Sequence, residues 1–325
     1  MDDKTLLLTC VVGSIITWNA YFRLKSLLKK VSAPGKDDWV PVGRVASLFI
    51  YPIKSCQAVQ VFSYFCTELG PVSKQYFDRF FVVTDGRTGK FLHGSDSIKN
   101  GFDEKTVEVD LNKVREKNEV KTAKLHCNLR TDGIDCGDIA AAFFSAVIHE
   151  PDVRLLWYQN GMFTERTCVT DPDWWNNPVP KRVDDTAFAD LAPYMITTEA
   201  SLEDLNSKLE KPVSSINFRP VMVVSDCPAW DEDRWAEIRI GDDVRLECFK
   251  PCTRCILTTV DPATGIKDGG MQPLKKLKEF RMAPDGKMRD SLKDSPIFGV
   301  NAGLVSPGYV HVGQTVWARY KPSAF

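Results

Sequence analysis

The sequence lacks the marks that identify many common enzyme classes. It has no G-x-G-x-x-G and no P-loop, which argues against the nucleotide-binding folds built on those turns. Neither charge sign is in surplus: 42 Lys and Arg face 43 Asp and Glu, for a net charge of −1. A nucleic-acid binder normally carries a clear basic excess, so that class is disfavoured. There is no repeat of fixed period, which argues against solenoids and propellers. Only four histidines occur, at 93, 126, 149 and 311, and no second C-x-x-C accompanies the first. Structural zinc usually needs one or the other. The ten cysteines show no framework spacing, and 325 residues need no staples. They read as mostly reduced, buried thiols on the cytosolic side of a membrane.

The N-terminus is informative. Residues 5–22, TLLLTCVVGSIITWNAYF, carry no charge. As a helix they would span about 27 Å, close to a bilayer core. Arg23, Lys25, Lys29 and Lys30 follow at once, and Asp2 and Asp3 precede. The basic flank lies on the wrong side for a cleaved signal peptide, so an uncleaved anchor over 1–30 is expected, with the body facing the cytosol. Residues 31–42 read as a linker.

From residue 43 the chain reads as short strands and turns. Strands are expected over 44–52, 79–93 (a hairpin), 216–225, 237–248 and 308–319. The stretch VDLNKVREKNEV reads as polar and mobile. Helices are expected over 138–150, with apolar Ile139, Phe143 and Val147, and over 201–209, with Leu202, Leu205 and Leu209 on one face. The fold class is α+β, mainly β: a barrel-like half over 43–180 and a second β-barrel over 181–325.

The chemistry centres on FKPCTRCILTTVDPATG, residues 249–265. Cys252 and Cys255, with Cys248 upstream and Cys227 further off, could build half a zinc site. They could also form a redox pair, although Ile256–Val260 looks strand-like and offers no helix N-terminus to activate a thiol. A third reading fits better. One thiolate, flanked by Arg254, would ligate a soft, high-valent metal carried by an anionic cofactor. Such a cofactor needs cationic anchors, and Lys54, Arg79 and Arg219 lie at the ends of β-like runs. Singly, each would read as a surface ion pair.

Together YPIKSC, DRFF, ITTEASLEDLN, NFRP, CTRCILTTVDPATG and SPIFGVNAGLV resemble the molybdenum cofactor sulfurase C-terminal (MOSC) domain family, from about residue 42 to the C-terminus. With the N-terminal anchor, the resemblance narrows to the amidoxime-reducing branch of mitochondria. It implies that Cys255 ligates the molybdenum of a molybdopterin cofactor and that Cys252 supports it. It implies that Lys54, Ser55, Arg79, Asn217 and Arg219 hold the pterin and its phosphate. Thr198, Thr253 and Arg254 lie in matching segments. The implied activity is reduction of amidoximes and hydroxylamines to amidines and amines. Electrons would come from cytochrome b5 and NADH-cytochrome b5 reductase, at the mitochondrial outer membrane. The alternative is a cofactor-carrier or sulfur-transfer protein without such turnover.

Overall fold

A computed structural model describes residues 38–92, 106–169 and 179–324. The expected anchor, its basic flank and most of the linker lie outside the described residues. Among the described residues, no helix is long and apolar enough to cross a membrane.

The strands in chain order are β1 (Val40–Ile50), β2 (Val59–Val61), β3 (Ser63–Thr67), β4 (Gly70–Ser73), β5 (Tyr76–Phe77), β6 (Phe81–Asp85), β7 (Val120–Lys124), β8 (Arg130–Asp135) and β9 (Val153–Trp157). They continue as β10 (Thr167–Val169), β11 (Val183–Asp185), β12 (Tyr194–Thr198), β13 (Met222–Ser225), β14 (Trp235–Ile240), β15 (Val244–Thr253), β16 (Ile297–Ser306), β17 (Gly308–His311) and β18 (Thr315–Tyr320). The main sheet runs β13-β12-β16-β15-β14-β18-β1, and β13 pairs again with β1. Seven strands therefore close into a ring. Strand β1 is the seam: Val40 faces Ala318 of β18, and Leu48 faces Met222 of β13.

Alternation supplies the ring's core. Ile238 and Ile240, Met222 and Val224, and Val316 and Ala318 sit two apart and are all buried in one cluster. A second core lies where the four-stranded sheet β6-β9-β8-β7 contributes Val82, Leu156 and Ile134. Helix α2 (Asp138–Ile148) adds Ala140 and Phe144 to it. A third sheet, β17-β3-β4-β5, joins a C-terminal strand to three N-terminal ones. Among the described residues neither four-stranded sheet closes into a ring.

Several elements differ from the sequence reading. The polar stretch after residue 108 is a helix, α1 (Leu111–Lys117), because Asp110 accepts hydrogen bonds from the Asn112 and Lys113 N–H groups. The strand expected over 216–225 begins with a 3₁₀ turn, Ser215–Phe218, and only Met222–Ser225 pairs. Helix α3 (Glu199–Asn206) starts earlier than expected, because Thr198 caps it by accepting from Ser201 N–H. The run after Cys255 is not a strand. It is a 3₁₀ turn, Ile256–Thr259. The Thr258 and Thr259 hydroxyls donate back to the carbonyls of Cys255 (2.9 Å) and Ile256 (2.7 Å). Such local bonds outweigh β-propensity.

Candidate cofactor site

The chain leaving β1 carries the first two anchors. Lys54 is buried, and its ammonium donates to the Phe188 carbonyl (2.9 Å) and to the Asp190 carboxylate (2.6 Å). Burial pushes the Lys54 pKa down, against the pull of Asp190. Burial raises Asp190's own pKa, but Lys54 and Arg166 outweigh it and hold the carboxyl well below the usual range. The Asp190 side chain is 69% exposed, so solvent screens the pair. Ser55 follows with a left-handed backbone, φ 64°.

Arg79 and Arg219 converge although 140 residues separate them. One Arg79 nitrogen donates to the Asp78 carboxylate and the other to the Arg219 carbonyl, at 3.1 Å. Buried Asp78 also accepts from the Tyr51 N–H at 2.8 Å. Arg219 Nη1 donates to the Cys56 carbonyl at 2.7 Å, while its buried Nη2 has no hydrogen-bond partner among the described residues. Both arginines hold positive φ, 53° and 57°. Three non-glycine left-handed residues at three expected anchors store about 1–2 kcal/mol each, a pattern common at ligand sites.

The thiols divide. Cys255 is exposed, at the start of its 3₁₀ turn. Cys252 is half-buried against the cluster of Phe218 and Phe298, and burial pushes its thiol up despite Arg254 nearby. Cys227 and Cys248 are core residues of the ring. Among the described residues no three His, Cys, Asp or Glu side chains are placed to hold a metal together. The four thiols therefore do not form a zinc knuckle.

Four other expected residues are engaged by the protein itself. Arg254 donates to the carbonyls of Phe298 (2.8 Å) and Phe218 (2.9 Å), which locks the end of β15 beside Arg219. The Asn217 amide donates to the carbonyls of Thr258 and Val260, both at 3.3 Å, and so ties the turn after Cys255 to the NFRP segment. The Thr198 hydroxyl bonds Ser201 and Glu232. Thr253 ends β15, paired with Ile297.

Sequence reading missed Tyr51, Asp78, Arg166 and Asp190. Tyr51 and Asp78 open the segments YPIKSC and DRFF, but nothing in their types marked them. Arg166 donates to the Ala189 carbonyl at 2.8 Å and lies 3.8 Å from Asp190. Five cations, Lys54, Arg79, Arg166, Arg219 and Arg254, lie around Tyr51, Asp78 and Asp190, and Asp78 and Asp190 are the carboxylates that act most strongly on them among the described residues. Asp190 also acts on Cys252, as does Cys255, so the cationic centre and the C-x-x-C are neighbours.

Comparison with known proteins shows the family. Residues 183–317 match the MOSC domain, and residues 42–96 match the MOSC N-terminal beta barrel domain. Mitochondrial amidoxime-reducing component 1 of Homo sapiens is 36% identical over 289 residues, covering 85% of this chain and 83% of that protein. The chain belongs to the amidoxime-reducing component family. Component 2 of Bos taurus is likewise 36% identical over 85% of the chain, covering 83% of that protein. Component 1 of Xenopus laevis is 30% identical over 86% of the chain, again covering 83% of that protein. The match to the family's N-terminal domain begins in β1, so the segment bearing Lys54 and Arg79 lies within it.

Proposed function

We propose that this family member reduces N-hydroxylated compounds, amidoximes and hydroxylamines among them, with a molybdenum cofactor. The observation that carries the reading is the surplus of enclosed positive charge beside one exposed thiol. Among the described residues, five cations surround Asp78 and Asp190, and Arg219 Nη2 is a buried donor without an acceptor. A buried unpaired donor costs about 1–3 kcal/mol, which a bound anion would offset. The residues therefore fit an anionic cofactor with a soft metal.

In this reading Lys54, Ser55, Arg79 and Arg219 hold the pterin and its phosphate, and the Cys255 thiolate holds the metal. Thr198, Asn217, Thr253 and Arg254 complete the family positions. The bonds made by Asn217 and Arg254 make these two braces of the loop that bears Cys255. When bound, the molybdenum cofactor supplies oxygen removal from N–OH, two electrons and two protons giving amidine or amine plus water. The chain has no nicotinamide fingerprint of its own, which suits electrons delivered by cytochrome b5 and its NADH reductase. The uncharged run 5–22 would anchor it in the mitochondrial outer membrane with the body in the cytosol.

The test is molybdenum and pterin content of the purified chain, with amidoxime turnover in the presence of both electron carriers. Bound pterin with turnover is expected. Bound pterin without turnover would favour the carrier reading, and neither would refute both.

A further inference from the structure

Tyr51 stands at the centre of the cationic cluster, and neither the sequence motifs nor the family match assigns it a role. Its side chain is fully buried. The Arg79 guanidinium carbon lies 4.4 Å from its ring centroid, and that of Arg219 lies 4.2 Å from the same centroid. Its backbone is pinned on both sides: the N–H donates to Asp78, and the carbonyl accepts from Arg79 N–H at 2.7 Å. Asp78 hydrogen-bonds Arg79, whereas Arg219 Nη1 donates to the Cys56 carbonyl, so the ion pair is made with Arg79. Two half-buried guanidiniums so placed repel each other. Burial pushes the Arg219 pKa down, and Arg79 pushes it further.

An aromatic ring carries negative charge on its faces and attracts cations within about 6 Å. A ring shared by both guanidiniums offsets their repulsion without supplying a carboxylate, which would fill the donors. Arg219 Nη2 has no hydrogen-bond partner among the described residues, and each terminal nitrogen of Arg79 keeps a second N–H, so both side chains can still meet an outside anion. We infer that Tyr51 is a positioning residue whose ring holds Arg79 and Arg219 as a preset fork for a phosphate monoester. The inference rests on the cofactor reading, in which that ester is the pterin phosphate.

The test uses the full chain with its cofactor. Pterin per chain, the half-time of pterin loss on dialysis and the melting temperature are measured for wild type, Tyr51→Phe and Tyr51→Met. Phe keeps the ring, while Met keeps most of the volume without it. Tyr51→Phe should hold pterin within about twofold of wild type. Tyr51→Met should lose it about tenfold faster, the worth of one desolvated cation–π contact. In the Met background Arg219→Lys should add much less than it costs alone, because the fork is already lost. A merely structural role would give independent, multiplying losses. If the Met variant does not fold, pentafluorophenylalanine at 51 keeps the ring shape with reversed face charge and should release pterin in the same way. Retention by the Met or fluorinated variant, a loss with Phe equal to that with Met, or multiplying losses would overturn the inference. Wild type free of pterin would sink the cofactor reading, and the inference with it.

Discussion

Two cysteines three residues apart occupy opposite environments. Cys255 faces solvent beside the cationic centre, and Cys252 packs into an aromatic cluster. A metal ligand must be reachable and firmly held. The Thr258 hydroxyl accomplishes the holding by bonding the Cys255 carbonyl. Cys255→Ala should abolish N–OH reduction and change the molybdenum spectrum. Cys252→Ala should keep pterin and activity within about threefold, as for a substitution outside the reacting atoms. Assay of both variants at equal pterin content decides, and a dead Cys252→Ala would reverse the assignment. Lys54, Arg79 and Arg219 stood out in the sequence as cations at the ends of apolar runs, and the structure brings the two arginines together, whereas Cys255 was singled out by the family resemblance. Tyr51 was not, since a tyrosine before proline looks like any core aromatic. Its role depends on two left-handed turns that no local propensity announces.

Between elements, one carboxylate does the joining. Glu232 is fully buried on the 3₁₀ turn Asp231–Arg234, and its Oε2 accepts from the hydroxyls of Thr198 and Ser201 at the start of α3. Its Oε1 has no hydrogen-bond partner among the described residues. Burial, then the charge of Asp233, raises its pKa to about 7 from an ordinary 4.5. The folded state therefore binds more protons than the unfolded one between these values. The stability it lends is complete below about pH 4.5 and is lost as pH rises through about 7. Denaturant titration should show this fall. Glu232→Gln should flatten it and leave the protein about 1–3 kcal/mol more stable at pH 8, once the buried charge is gone. An unchanged slope would mean that Glu232 is already ionised at low pH. The extent of helix α2 was legible because proline stands at 151, but its buried face was not: Ala140, Ala141 and Phe144 meet the core, whereas Ile139 is 76% exposed. The threonine-rich turn after Cys255 was not legible either, because hydroxyl-to-carbonyl bonds overrode a β-branched run.

At the scale of the whole molecule, ring closure depends on β1 lying very near β13. A Cβ at Gly43 would sit 1.9 Å from the Ser225 carbonyl oxygen, and backbone cannot yield as a side chain can. Gly43→Ala should cost about 1–3 kcal/mol. Gly269→Ala, with nothing within 4 Å, should change stability by less than about 0.5 kcal/mol. Equal melting temperatures for the two would contradict the seam. The mainly β character was legible from short strands at close spacing. The route of β1 into a ring of C-terminal strands was not, because pairing partners far apart in sequence leave no local trace.

That seam also sets a timetable. Strand β1 is among the first described parts of the chain to be made, and its partner β18 is the last. On the ribosome the early strand must wait for nearly the whole remaining chain before the ring can shut. Lys54 and Arg79 are likewise born long before Arg219 and Cys255. In the cofactor reading, the ring can enclose a prosthetic group only once β18 has been made, so filling it is a step of maturation that follows the synthesis of that strand.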